Sequence, residues 1–139
     1  MNKILLPVDG SDCALRAVKQ AISLVSGGNA EVHLLNVQPA LPADVSRFIK
    51  AEDIKGYHQD EAKKEMATAV QALNAAGVKY QTHIVVGDPA PSIARFAEEN
   101  GVTQIIMGTH GRTGLAGVVL GSVAAKTLHL AKVPVLVVK

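Results

Sequence analysis

The chain has 139 residues, of which 48% are hydrophobic and only 3% aromatic, and its 14 Lys and Arg against 12 Asp and Glu give a formal net charge of +2. This length predicts one domain with a substantial core, and the apolar content excludes intrinsic disorder. No apolar run approaches the ~20 residues of a membrane span, and neither charge nor aromatic content indicates a nucleic-acid-binding face. We therefore expect neither membrane nor nucleic acid as a partner.

The cysteine content and the first residues of the sequence bear on the compartment. Cys13 is the single cysteine and cannot form an internal disulfide, which suits a reducing environment. The first apolar stretch meets Asp9 too early to be the hydrophobic region of a signal peptide. We expect a cytoplasmic protein.

Short apolar runs, rich in β-branched residues or leucine, recur along the chain. They span Ile4–Val8, Glu31–Val37, Thr82–Val86, Gln104–Met107 and Val135–Val138. Several are almost continuously apolar, which is typical of strands buried on both faces of a parallel sheet.

Segments with helical periodicity separate these strands. The first follows Ser11 as N-cap, the second carries an apolar stripe from Ala62 to Leu73, and the third begins at Asp88 as a capping acid. The fourth begins with Ser122 as its cap and places Leu128 on its apolar face. The alternation of strands and helices predicts a single α/β domain.

One connection is longer than the others. Residues 38–56 contain two prolines and one glycine and break the alternation. Such a segment is either a functional loop or lid or, more commonly, a solvated surface loop.

The fourth predicted strand leads directly into a glycine-rich segment. Five of the twelve glycines fall within the fourteen residues 108–121, a density that indicates positive φ angles or close approach of the backbone to a ligand. The segment enters a helix at Ser122, where free N–H groups attract anions, and Arg112 adds a positive charge. These features predict a phosphate-binding loop, the alternative being a connector that merely turns tightly.

Two well-known phosphate loops are absent from the sequence. No glycine precedes a lysine, which excludes a Walker loop, and no two glycines have the G-x-G spacing of the dinucleotide fingerprint. Instead, Asp9 follows the first strand, at the edge where open α/β sheets bind ligands. Its carboxylate is a candidate acceptor for ribose or base, or a candidate ligand of Mg²⁺ through water. The alternative is that Asp9 and Ser11 only cap the first helix.

The spacing Gly108-x2-Gly111-x9-Gly121-Ser122 resembles the G-2x-G-9x-G-(S/T) nucleotide loop of the universal stress protein family. The segments Ile4–Ser11 and Gly121–Val138 resemble that family's first strand and closing helix and strand, so the resemblance covers essentially the whole chain. It implies one universal stress protein domain over residues 1–139, of the ATP-binding branch. The implied fold is adenine nucleotide alpha hydrolase-like: an open five-stranded parallel sheet in the order 3-2-1-4-5 with helices on both faces.

The resemblance also implies which residues hold ATP, with ADP and AMP as alternatives. Adenine and ribose would lie against Pro7, Val8, Asp9 and Val37. The phosphates would be wrapped by the loop and the following helix, that is by Gly108, Thr109, His110, Gly111, Arg112, Thr113, Gly114, Gly121, Ser122 and Val123.

Histidines and the cysteine offer weaker signals. His33, His83 and His129 lie in elements far apart in sequence and show no metal-ligand spacing, while His58 stands among charged residues and is expected to be solvated. His110 lies within the loop, as a candidate phosphate donor or general acid or as an ordinary loop residue. Cys13 has no activating partner evident in the sequence.

The last strand bears on assembly. Val135–Val138 is apolar, and in the implied order it lies at the sheet edge, where an exposed apolar strand invites aggregation. The resemblance implies that a second copy covers it, so we predict a homodimer through Val135–Val138.

Three functions fit these features. The first is a nucleotide-dependent regulatory protein of the stress response that signals occupancy to a protein partner, because the phosphate loop comes without an evident catalytic pair. The alternative is a slow ATPase or phosphotransferase using Asp9, His110 and Mg²⁺, which needs a water or acceptor in line with the γ-phosphate. The third is an interaction module with a vestigial site.

Overall fold

A single parallel sheet forms the centre of the molecule, for which the computed structural model describes residues 2–110 and 120–139. In these ranges the strands follow one another across the sheet in the order β3-β2-β1-β4-β5, as the resemblance implies. Their bounds are β1 Asn2–Pro7, β2 Ala30–Gln38, β3 Tyr80–Val86, β4 Gln104–Gly108 and β5 Val135–Val138.

Helices cover both faces of the sheet. Their bounds are α1 Asp12–Val25, α2 Ala43–Ser46, α3 Ala51–Ala75, α4 Pro89–Glu99 and α5 Ser122–Leu130. One core cluster joins α1 and α3 to alternate strand residues such as Leu6 and Leu34, and a second cluster on the opposite face joins α4 and α5 to Leu5 and Leu35. The central strands are therefore apolar on both faces, which explains their nearly continuous hydrophobic runs.

The long connection after β2 is shorter than the sequence predicts. Residues 43–46 form the one-turn helix α2, and α3 begins at Ala51, well before the apolar stripe at Ala62. The longer α3 corrects the expectation for His58, which is 5% exposed rather than solvated. His58 lies four residues before Ala62 and therefore on the same inward face of the helix.

Helix α5 also departs from its predicted face. Leu128 is 43% exposed, and the buried residues of the helix are Ala124 and Thr127. Thr127 is compatible with this position because its hydroxyl donates to the carbonyl of Val123, 2.7 Å away within the same helix. Among the described residues, no helix is long and apolar enough to cross a membrane.

Candidate functional site

The candidate site lies at the carboxyl edge of the sheet, where the strand order reverses between β1 and β4. These two strands are hydrogen-bonded neighbours, with Leu5 paired to Ile105. Pro7 therefore ends β1 close to where Gly108 ends β4. In open α/β sheets this reversal opens a crevice in which ligands bind.

Gly108 is required by the close packing of β4 against the start of α1. A Cβ atom at this position would lie 2.8 Å from the carbonyl carbon of Cys13 and 3.0 Å from the amide nitrogen of Ala14. Both are backbone atoms of the first turn of α1, so they cannot rotate aside. Glycine thus allows the chain to leave β4 directly alongside the helix N-terminus.

Beyond Gly108, a set of hydrogen bonds ties Thr109 to β5, to α1 and to the next residue, His110. Its backbone N–H donates to the carbonyl of Val138 in β5 at 2.9 Å. Its hydroxyl lies 3.4 Å from the Cys13 sulfur and 3.0 Å from Nδ1 of His110. The Cys13 thiol in turn donates to the Val138 carbonyl at 3.2 Å. Thr109 is buried, so these bonds fix the start of the loop.

This environment changes the chemistry of Cys13. Burial raises the pKa of the thiol, but hydrogen bonds from the Thr109 hydroxyl and from the backbone N–H groups of His110 and Thr109 outweigh it, and the pKa is lowered. The charge of Arg16 acts in the same direction. This partner could not be recognised from the sequence, because Thr109 is 96 residues away from Cys13 along the chain.

The N-terminus of α5 differs by one residue from the prediction. Gly121, not Ser122, is the N-cap, and Ser122 is the first helical residue. The Gly121 amide donates to the Thr109 carbonyl at 2.6 Å, and a Cβ atom on Gly121 would lie 2.9 Å from that same oxygen. The contact with Thr109 therefore requires glycine at the cap. Because Gly121 has no side chain, the N-cap residue itself gives no side-chain hydrogen bond to the first N–H groups of the helix.

At the start of α1, in contrast, a side chain already occupies one of the corresponding N–H groups and a second side chain holds the N-cap residue. The Ser11 hydroxyl accepts from the amide of Ala14 at 3.2 Å, and Oδ1 of Asp9 accepts from the amide of Ser11 at 3.0 Å. Asp9 and Ser11 thus have the capping role that the sequence left open. This makes the α5 terminus the better anion site of the two, since its N-cap residue, unlike Ser11 of α1, has no side chain to occupy the first N–H groups.

The donor set fits a phosphate better than a metal cage. The first turn of α5, which has a glycine as its N-cap, and the close contacts of Gly108 and Gly121 suit a close backbone approach to an anion. Within the described ranges, no group of three or more His, Cys, Asp or Glu is arranged to hold a metal ion. Mg²⁺ would then depend on Asp9 together with the phosphates themselves. The predicted loop residues Gly111, Arg112, Thr113 and Gly114 lie outside the described residues.

The remaining predicted residues lie along the same edge. Pro7 and Val8 are buried at the end of β1, and the Val8 amide donates to the Leu35 carbonyl of β2 at 2.9 Å. Val37 is half-buried near the end of β2, one strand further from β4. The structure thus brings Gly108, Thr109, His110 and Gly121 into one cluster, with Val37 at the far end of the edge.

Two sets of polar residues were missed by the sequence interpretation. His33 and His83 lie in elements far apart in sequence, but these elements are neighbouring strands, and Nδ1 of His33 is 2.9 Å from Nε2 of His83. The parallel register places Leu35 opposite His83, so the histidines are diagonal neighbours on one face. The second set comprises Asn36 and Gln38, whose only signal was the polar interruption of the apolar run in β2.

Comparison with known proteins assigns the family. The model of the universal stress protein family matches residues 1–139, so this chain belongs to that family. Universal stress protein MJ0531 of Methanocaldococcus jannaschii is 41% identical over 143 residues, which cover 99% of this chain and 82% of that protein. The solved structure of MJ0577 from the same organism superposes with a TM-score of 0.84 at 38% identity and covers 99% of this chain and 95% of that one.

Two further solved structures contain adenine nucleotides. A universal stress protein in complex with cAMP has a TM-score of 0.72 at 27% identity and covers 99% of this chain and 97% of that one. The universal stress protein of Archaeoglobus fulgidus in complex with dAMP has a TM-score of 0.71 at 27% identity, covering 100% of this chain and 98% of that one. Structural neighbours of this chain therefore bind adenine nucleotides.

Proposed function

We propose that this protein binds an adenine nucleotide, ATP in the first place, at the carboxyl edge between β1 and β4. The single observation that carries the proposal is the N-terminus of α5, which follows the glycine-rich segment and has a glycine, Gly121, as its N-cap residue. Phosphates would be held by this terminus together with the segments Gly108–Gly114 and Gly121–Val123. Adenine and ribose would lie along the edge against Pro7, Val8, Asp9 and Val37.

The proposed biological role is regulatory. Nucleotide binding would change the loop or dimer surface presented to a protein partner, since a ligand shifts a protein toward the conformation that it binds best. We further propose a homodimer in which the β5 strands of two copies pair. In this arrangement Thr109, bonded to Val138, connects the nucleotide site to the dimer edge.

A charge reversal tests where the phosphates bind. Ser122 is exposed at the first position of α5, so Ser122→Asp introduces a negative charge without steric conflict. A carboxylate at this position interacts favourably with the positive end of the helix dipole, so the melting temperature should be unchanged or raised. The same negative charge would repel a bound phosphate. We expect the Kd for ATP to rise at least about tenfold, as measured by isothermal titration calorimetry.

The matched control is Ser122→Asn, which has nearly the shape of the aspartate and no charge. This variant should bind ATP within about threefold of wild type, a difference of under 1 kcal/mol. Mass spectrometry of the purified wild-type protein should also reveal retained adenine nucleotide. Equal ATP affinity in both variants would place the phosphates elsewhere, and no binding of ATP, ADP or AMP by wild type would refute the proposed function.

A further inference from the structure

A buried polar network lies beneath the end of β1, between β2 and α3. Asn36 is 0% exposed and Gln38 is 3% exposed, and both point to the α3 side of the sheet. The preceding residue on that face, Leu34, is also fully buried. Burying an amide is unfavourable unless its hydrogen bonds are replaced, so each donor in this network needs a partner.

Every amide hydrogen of the two side chains has an acceptor. Nδ2 of Asn36 donates to the carbonyl of Val8 at 2.9 Å and, more weakly, to Oε1 of Glu65 at 3.5 Å. Nε2 of Gln38 donates to Oδ1 of Asn36 at 2.7 Å and to Oε2 of Glu65 at 2.9 Å. The carboxylate of α3 therefore receives hydrogens from both amides.

The Val8 carbonyl determines the direction of the whole network. A backbone carbonyl can only accept, so Asn36 must direct its NH₂ group toward it. The Asn36 oxygen then faces Gln38, which must present its own NH₂ group. The network has one satisfied orientation, and this orientation holds the Val8 carbonyl.

The same bond determines how the next peptide group faces. The Val8 amide donates to Leu35, so Val8 is held at both its N–H and its C=O. In a planar trans peptide, the C=O of Val8 and the N–H of Asp9 point in opposite directions. Holding the carbonyl against Asn36 therefore directs the Asp9 N–H away from α3.

The turn that follows is supported by the same part of α3. Gly10 has φ +86, and a Cβ atom there would lie 3.4 Å from Cα of Glu65. Glu65 thus packs under the turn with its backbone and accepts from the amide network with its side chain. The two contacts tie the Val8–Asp9–Gly10 turn to one position on α3.

We propose that Asn36 is a positioning residue for the nucleotide site, acting through the carbonyl of Val8 with Gln38 and Glu65 as its supports. This inference rests on the proposed function, because Val8 and Asp9 are proposed to contact adenine and ribose. A leucine would fill a similar volume but would remove the donor that the Val8 carbonyl has in Asn36, so the amide contributes to stability. The same hydrogen bond orients the Val8–Asp9 peptide, and this second effect is the one that reaches the nucleotide site.

The test compares Asn36→Leu with Leu34→Ala on the full chain. Leu34 is buried on the same face two residues earlier, so Leu34→Ala destabilises the fold without touching Val8. For whichever of ATP, ADP and AMP binds wild type most tightly, we expect Asn36→Leu to weaken the Kd roughly tenfold, which corresponds to the loss of one aligned hydrogen bond. Leu34→Ala should lower the melting temperature and leave the Kd within about twofold.

The outcomes separate the two proposals. Nucleotide binding by wild type with an unchanged Kd in Asn36→Leu would overturn the positioning role and leave the proposed function standing, whereas wild type that binds no nucleotide would overturn both. If Asn36→Leu does not fold, Gln38→Met removes the support of Asn36 at similar volume. That variant should weaken the Kd about threefold, and an unchanged Kd there overturns the positioning role as well.

Discussion

Substitution of Gly108 by alanine tests the close packing on which the site is built. The added Cβ would lie 2.8 Å from the Cys13 carbonyl carbon and 3.0 Å from the Ala14 nitrogen. Carbon atoms in favourable contact are about 3.5–4.0 Å apart, so α1 and β4 must separate by roughly 0.7 Å or more. Both atoms are backbone in a capped helical turn that packs on the sheet.

The expected loss of stability follows from this geometry. Overpacking in a well-packed interior costs about 1–3 kcal/mol, and a clash with immobile backbone belongs at the upper end of that range. We therefore expect Gly108→Ala to lower the free energy of unfolding by about 2–3 kcal/mol. For a domain of 139 residues, that corresponds to a fall of roughly 7–10 °C in the melting temperature.

The control is the same substitution in α3. Gly56 lies in the interior of that helix, and a Cβ atom there meets nothing within 4 Å. Because glycine in a helix interior is less stable than alanine, Gly56→Ala should raise the free energy of unfolding by about 0.5–1 kcal/mol. Urea unfolding followed by far-UV circular dichroism measures both variants. A Gly108→Ala protein as stable as wild type, beside a stabilised Gly56→Ala, would refute the packing argument.

Two further predictions concern the histidine pair and assembly. Burial lowers the folded-state pKa of both His33 and His83 below 6.5. At His33 the charge of Glu31 raises the pKa and that of Lys3 lowers it, and at His83 the neighbouring His33 lowers the pKa further. The unfolded chain therefore binds more protons, so the pair's stabilising contribution is complete above about pH 6.5 and is lost as pH falls through the lowered pKa. Urea unfolding between pH 7.5 and 5 should show this loss, and a double variant His33→Leu, His83→Phe with the same pH slope would contradict it. Sedimentation velocity of wild type at about 10 µM should give a dimer, and a monomer only would exclude pairing through β5.

The strands, the helices and the sheet order of this protein are predicted well from the sequence, because the elements depend on local patterns and the order on a recognisable motif. Apolar runs place each strand within a few residues, and the glycine spacing identifies the family whose sheet order the structure has. The start of α3 was misplaced because its first turns carry few apolar residues, and His58 was misassigned with it.

Contacts between distant segments could not be predicted in the same way. The His33–His83 pair depends on the register between β2 and β3, and a shift of one residue would move one ring to the other face. The cap of α5 depends on contact between Gly121 and Thr109, which no spacing within the helix reveals. The partner of Asn36 is the backbone carbonyl of Val8, and any residue type at position 8 would supply the same atom, so the sequence carries no signal of this contact.

The carbonyl oxygen of Val138 accepts two hydrogen bonds. One lone pair receives the Thr109 N–H and the other the Cys13 thiol, so β4, α1 and β5 meet at a single oxygen atom. The nearby Lys139 carbonyl accepts from Nε of Arg16 at 2.8 Å, which fastens the same corner to α1 a second time. A sideways movement of β5 therefore disturbs the first residues of the loop before it reaches the rest of the sheet. The position of β5 therefore helps to determine the position of the site residues, although this strand lies at the edge of the sheet.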